Sequence, residues 1–164
     1  SNGFRLARRA LLDRNHGGLR FDSPLPNSGT TVGEAMLTPT RIYAESFAAL
    51  QRDLGPALHA AAHITGGGLL ENPQRSVTDD LAVHLDLGDV PQHPIFAAIQ
   101  AQGVAQDEMW RTFNCGLGLL LYIDRAHCDA AISCLTAAGE QPLVVGTLEE
   151  RAGADAPQVI MASN

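Results

Sequence analysis

The sequence holds little that could grip a polyanion. Of its 164 residues, 11 are basic and 18 acidic, for a formal net charge of −7. No stretch gathers the positive charge that a nucleic-acid backbone requires. The densest basic run, Arg5, Arg8, Arg9 and Arg14, falls among apolar residues at helical spacing and reads as a solvated helix face. Nucleic acid is therefore not expected as a partner. Cysteine is scarce: Cys115, Cys128 and Cys134 are odd in number and form no C-x-x-C pair. That excludes a thiolate metal cage and suits a reducing compartment. No apolar run approaches the ~20 residues that span a bilayer. The opening stretch SNGFRLARRALLDR is too charged to supply a signal peptide's apolar segment. A cytoplasmic protein with no membrane partner is the expectation. Neither the Walker pattern nor G-x-G-x-x-G occurs, and no internal repeat or low-complexity tract is visible.

What is present suits one domain. A chain of this length buries roughly 68–70% of the surface its unfolded form exposes, enough for a core without disulfide or metal staples. Ser1 and Asn2 can cap a helix carrying Phe4, Ala7 and Leu11, which His16-Gly17-Gly18 stops. Residues 21–31 read as loop, and a short apolar piece runs to Leu37. Residues 42–54 read as a helix with Ala44, Phe47, Leu50 and Leu54 on one side. Leu58 to Ile64 fits a buried strand or a helix end. Leu81 to Leu87 alternates with period two, as a strand with one wet face does. Helices are expected over 94–102 and 105–112, split at Gly103. The uniformly apolar Leu119–Ile123 reads as a central strand. Asp124 then caps a helix with Cys128, Ile132 and Leu135 on one face, Pro142 to Leu148 forms a strand, and Val159 to Met161 adds an edge strand. Strands and helices are mixed rather than strictly alternating. The fold class expected is α/β (α+β), a layered domain with a mixed β-sheet flanked by helices.

Five features could carry chemistry. Thr65-Gly66-Gly67-Gly68 concentrates backbone that tolerates no side chain, either because a phosphate presses on bare amides or because the chain turns tightly there. A helix beginning directly afterwards would add positive charge. With no lysine nearby, a monophosphate suits the run better than a nucleoside triphosphate. Asn114-Cys115-Gly116-Leu117-Gly118 also implies close backbone approach, with Asn114 meeting a ligand or closing an Asx turn. His59 and His63 are four apart, the spacing of a zinc helix, but only alanines separate them and the glutamate of H-E-x-x-H is missing. No metal site is expected, and His63 reads as a buried or substrate-facing imidazole. Glu34 and Glu71 are the acids nearest the glycine-rich segments, as general bases or as solvated carboxylates. Cys115 lacks a partner base in the sequence, so nucleophilic catalysis is set aside. Trp110 and Phe113 read as core anchors.

In order along the chain, these pieces resemble one family. Ser1-Asn2-Gly3-Phe4 with Leu6 is similar to the S-N-G-[FY]-S-L segment of aminoimidazole ribonucleotide synthetases. The run Gly33-Glu34-Ala35-Met36-Leu37-Thr38-Pro39-Thr40-Arg41-Ile42-Tyr43 resembles their G-E-x-L-L-x-P-T-R-I-Y. Residues 59–72, from His59-Ala60 through His63-Ile64-Thr65-Gly66-Gly67-Gly68 to Glu71-Asn72, resemble H-A-x-A-H-I-T-G-G-G-L-x-E-N. Residues 108–118 resemble E-M-x-R-T-F-N-M-G-[VI]-G. The departures are Arg5 where serine is usual and Cys115 where methionine is usual. The last dozen residues match no block.

The resemblance covers the rear half of that family's chain. It implies that residues 1–164 are its carboxy-terminal domain, with 149–164 a variable tail, and that the amino-terminal ATP-binding domain lies outside this sequence. The implied activity is ATP-dependent ring closure of formylglycinamidine ribonucleotide to aminoimidazole ribonucleotide in purine biosynthesis. ATP and Mg²⁺ would be bound mainly by the other domain, and the full-length enzyme would be a homodimer. Glycine pattern and resemblance together place the substrate phosphate on Thr65, Gly66, Gly67, Gly68, Asn114 and Gly116. They put Ser1, Asn2 and Gly3 at the domain border and make His63 and Glu71 the candidate catalytic contacts. The alternatives are a related enzyme of the superfamily (formylglycinamidine ribonucleotide synthetase, selenophosphate synthetase, thiamine-monophosphate kinase or a hydrogenase maturation protein) or a non-catalytic binding module of the same fold.

Overall fold

The computed structural model describes residues 2–162, and the chain divides into two compact units, one of residues 1–40, 64–70 and 91–117 and the other of residues 41–63, 71–90 and 118–164. Within the described residues the first unit is helical. It contains α1 (Phe4–Leu12), α2 (Val32–Leu37), α5 (Pro94–Gln100) and α6 (Gln106–Thr112), and most of the single turn α4 (Gly68–Glu71). Its core gathers Ala7, Ala10 and Leu11 of α1, Val32 and Met36 of α2, Ala98 and Ile99 of α5, and Met109 and Phe113. Ala7, Ala10 and Leu11 recur at i, i+3, i+4, the stripe that turns one helix face inward. The cap of α1 differs from the expectation. Gly3 is the N-cap, at φ 77°, with no side-chain cap bond, and Ser1 lies outside the described residues.

The short apolar piece ending at Leu37 is a helix because its start is capped from both sides. The Thr31 hydroxyl accepts from the Glu34 amide at 3.2 Å, and the Glu34 carboxylate accepts from the Thr31 amide at 2.8 Å. This reciprocal box satisfies two of the amides every helix start leaves open. It also holds the Glu34 carboxyl below its ordinary range, chiefly through the Thr31 backbone bond. Glu34 is thereby a capping residue rather than a general base.

Among the described residues, the second unit holds all five strands. β1 (Leu58–His63) and β3 (Leu119–Ile123) form an antiparallel pair with His63 opposite Leu119. The remaining three strands run in the order β4-β2-β5: β2 (Leu81–Leu85) is antiparallel to β4 (Gly146–Glu150) and parallel to β5 (Val159–Met161). The mixed sheet and the edge position of β5 match the sequence reading. Other expectations change. β3, read as a central strand, pairs among the described residues only with β1. Its apolar run reflects burial of Leu120 and Tyr122 on one face and packing of Leu121 and Ile123 on the other. β2 has no clean wet face, since Ala82 and Val83 are both buried. β4 begins at Gly146 rather than at Pro142, so Leu143 and Val144 precede the strand and are exposed.

α3 (Ala44–Leu54) and α7 (Cys128–Ala137) pack together through Leu50, Leu54 and Ala131, with Cys134 and Leu135 against them. The inward face of α7 is thus centred on Ala131 rather than on Cys128 and Ile132. Asp124 makes no side-chain cap bond to the turn that follows it. Its carboxylate lies 2.7 Å from His59 Nε2, and this contact holds the Asp124 carboxyl below its ordinary 3.8. A depressed carboxyl contributes stability that is complete above the unfolded value and disappears as pH falls through the folded one. Asp124→Asn should therefore lower the urea midpoint near neutral pH, and its difference from the parent should close as pH drops below 3.8. A difference that stays constant through acid would show that the contact adds nothing to stability.

Candidate functional site

The glycine run is a tight turn with one face open. The Gly68 amide donates to the Thr65 carbonyl at 3.0 Å, and Gly67 sits at φ 101°. A positive φ at the third turn position is what glycine supplies without steric cost. Gly66, at the outer corner, is exposed, whereas Gly68 is buried. The reason for glycine differs at each position. A β-carbon on Gly68 would overlap the Trp110 carbonyl oxygen and lie 2.8 Å from the Arg111 carbonyl carbon. Gly68 also has φ 54°. The bend is therefore pressed onto the last turn of α6, backbone against backbone. A β-carbon on Gly66, by contrast, would meet only the Asn2 carboxamide, with the oxygen at 3.4 Å.

Asn2 and Gly3 complete the same corner of the first unit. A β-carbon on Gly3 would overlap the Phe113 ring and stand 2.8 Å from the Thr112 methyl. The third segment is the turn after α6. The Leu117 amide donates to the Asn114 carbonyl at 2.9 Å, and the Gly116 amide donates to Asn114 Oδ1 at 3.1 Å. Cys115 and Gly116 both have positive φ, 50° and 101°, the sign pattern of a type I′ turn. A β-carbon on Gly116 would lie 3.1 Å from His93 Cδ2. The Asx turn weighed at Asn114 is formed. Cys115 points its thiol at the Met109 and Phe113 carbonyls, at 3.7 and 3.9 Å, and burial pushes its pKa up to about 11. A thiol so raised is protonated near neutrality and is no nucleophile.

Three separate stretches of sequence thus meet in one unit: Asn2-Gly3, the 65–68 bend, and residues 110–117. Two of the six residues assigned to phosphate also have a structural reason to be glycine. The amides of Gly68 and Gly116 are both engaged inside the chain, so these glycines serve close packing and turn formation. The one-turn α4 is too short for an appreciable dipole, and the helical charge expected behind the bend is therefore weak. Trp110, Arg111 and His93 were missed as parts of this corner. No local signal marks them, because they arrive through packing of α6 and of the segment before α5.

His63 and Glu71 flank the bend in sequence and belong to the second unit. His63 ends β1, and the Tyr43 ring meets its imidazole edge-on at a centroid distance of 6.0 Å. Glu71 is paired with Arg75, four residues on, at 3.2 Å. Because β1 is a strand, residues 59 and 63 stand about 13 Å apart, four steps of ~3.3 Å. One ion could not bridge them, and His59 is engaged with Asp124. Among the described residues, no three of His, Cys, Asp and Glu come together as a metal site would need, and no helix is long and apolar enough to cross a membrane. The glycine at the end of the Asn114 block has its own explanation in the second unit. The Tyr43 hydroxyl occupies the space that a Gly118 side chain would fill.

The first and last glycines of the bend separate exposure from packing. Gly68→Ala should cost more than about 2 kcal/mol, combining left-handed strain with backbone overlap. Gly66→Ala, whose β-carbon finds ordinary room, should stay within about 0.5 kcal/mol of the parent. Urea denaturation of the two variants measures both. Equal losses would mean that the α6 contact does not hold the bend.

Comparison with known proteins agrees with this architecture. The family described as AIR synthase related protein, C-terminal domain, matches residues 7–156. Phosphoribosylformylglycinamidine cyclo-ligase of Trichlorobacter lovleyi is 42% identical over 162 residues, covering 98% of this chain and 45% of the relative. The proteins of that name from Sorangium cellulosum and Latilactobacillus sakei are 44% and 40% identical over 147 and 153 residues, covering 89% and 92% of this chain and 42% and 44% of theirs. The chain therefore spans less than half the length of these relatives. With its match running through α1, the glycine bend and the Asn114 turn, the chain belongs to the AIR synthase related protein family as a C-terminal domain.

Proposed function

We propose that this chain is the carboxy-terminal domain of a phosphoribosylformylglycinamidine cyclo-ligase, closing the imidazole ring of aminoimidazole ribonucleotide in the purine pathway of the cytoplasm. The observation that carries the reading is the corner of the first unit. Asn2-Gly3, the 65–68 bend and the 110–117 segment converge there, with Gly66 exposed at the outside and the packed backbone beneath it. In this reading the ribose phosphate rests against Thr65, Gly66 and Gly67, and Asn114 lines the same cleft. Asn2 and Gly3 face the ATP-binding domain of the longer protein. The full-length enzyme is a homodimer, as the family likeness implies.

The substrate carries both reacting ends, a formamide and an amidine, on one ribonucleotide. ATP with its Mg²⁺ supplies a phosphoryl group that turns the formamide oxygen into a leaving group. The amidine nitrogen then bonds to the formyl carbon, the carbon–oxygen bond breaks, phosphate departs and a proton is lost. What this chain contributes is placement: a phosphate fixed at the bend leaves the two ends of the substrate little freedom, which is worth several powers of ten in rate. His63 and Glu71, which flank the bend in sequence, are the groups that would hold or receive the amidine proton.

Gly66→Val tests the reading where the fold is least disturbed. Gly67, at φ 101°, serves poorly because any side chain strains the backbone there. In the full-length protein, Gly66→Val should raise KM for formylglycinamidine ribonucleotide at least about tenfold, with the melting temperature nearly unchanged. An unaltered KM, measured in the same ATP-dependent assay, would remove the phosphate from the bend.

A further inference from the structure

The second unit carries an anchored aromatic contact that the placement of phosphate does not use. Arg41 is clamped twice at the end of α7: its Nε lies 2.8 Å from the Glu140 carboxylate, and its guanidinium donates to the Gly139 carbonyl at 2.8 Å. The Glu140 side chain is only 17% exposed, so the clamp is partly screened from water. Two residues on, the Tyr43 carbonyl accepts from the Phe47 amide at 2.9 Å and from the Ser46 hydroxyl at 3.1 Å as α3 begins. The backbone of Tyr43 is thus fixed on both sides. Its side chain runs to the junction of β1 and β3, where His63 stands opposite Leu119. There its hydroxyl fills the space over Gly118, and its ring meets the His63 imidazole at 6.0 Å with an interplanar angle of 76°.

We propose that Tyr43 is a positioning residue for His63, its ring edge setting the orientation of the imidazole where the chain leaves β1 for the glycine bend. The inference rests on the reading of His63 as a substrate-facing group. An exposed histidine otherwise samples several rotamers, and ordering it costs entropy at the moment it is needed. An edge-to-face contact from an already rigid ring lowers that cost in advance. The missing side chain at Gly118 then has a purpose, since any β-carbon there would push the Tyr43 hydroxyl away from this place. The Arg41 clamp holds the same arrangement from the other end.

The test uses the full-length protein and steady-state kinetics with formylglycinamidine ribonucleotide. Tyr43→Leu should lower kcat about tenfold or more with KM for the ribonucleotide unchanged, as a misplaced reacting group does. Tyr43→Phe should restore the parental rate, because the ring and not the hydroxyl makes the contact. On a His63→Gln background, Tyr43→Leu should have no further effect. Gly118→Ala, which displaces the ring without removing it, gives a second route to the same loss of kcat if Tyr43→Leu does not fold. Losses from Tyr43→Leu and His63→Gln that simply multiply, or a rise in KM alone, would overturn the proposal. The ring-proton shift of His63 by NMR provides a readout independent of turnover. It should move in Tyr43→Leu and stay in Tyr43→Phe, and an unmoved signal in both would sink the contact. Absence of turnover in the parental protein would instead count against the cyclo-ligase reading, and the ring shift would still decide the positioning.

Discussion

Gly68 rests directly on the carbonyl groups that end α6, and the shape of the site follows from that contact. Because nothing larger than a hydrogen atom fits between Gly68 and the Trp110 carbonyl, the bend cannot lift away from α6 and still pack. Gly68 in turn fixes the turn above it through the bond from its amide to the Thr65 carbonyl. The outer corner at Gly66 is consequently displayed on a rigid support, not on a loose loop. Asn2 and Gly3 are drawn to the same place because Gly3 has no side chain to hold it off Phe113 and Thr112. Three glycines of different neighbourhood, at positions 3, 66 and 68, thus produce one surface.

Consecutive glycines usually invite a single explanation, and here they have several. Gly68 is required by the backbone beneath it, Gly67 by its φ, and Gly66 by neither. The residue with the least structural reason to be glycine is also the most exposed, which is where a ligand would touch the chain. The same division separates Gly116, engaged with Asn114 and close to His93, from Gly118, which leaves room for Tyr43. A run of small residues in sequence signals close approach without saying what approaches.

Much of the fold was legible because its signals are local. The i, i+3, i+7 spacing of Phe4, Ala7 and Leu11 made α1 readable, as Gly103 did the break between α5 and α6, and the mixed sheet followed from short apolar runs between helices. Signals that depend on distant partners were not legible. Asp124 looks like a helix cap, yet its carboxylate turns to His59, 65 residues away. The His59/His63 pair has zinc-helix spacing only if the segment is a helix. Alanines at 60–62 suit a strand equally well, and pairing with β3 decides the matter. Glu34 was legible in principle, since Thr31 and Glu34 spell a capping box at the start of an apolar run. The roles of Trp110, Arg111 and His93 arise from packing between segments far apart in sequence and leave no mark at their own positions.

In the proposed reading the phosphate meets the exposed outer face of the bend rather than the buried Gly68. Amide chemical shifts, followed while formylglycinamidine ribonucleotide is titrated into isotopically labelled full-length protein, test it most directly. The account predicts large saturable shifts at Gly66 and Gly67, with Gly68 and Gly116 little moved. Shifts confined to residues far from the bend, or a bend that remains silent at saturating ribonucleotide, would contradict it.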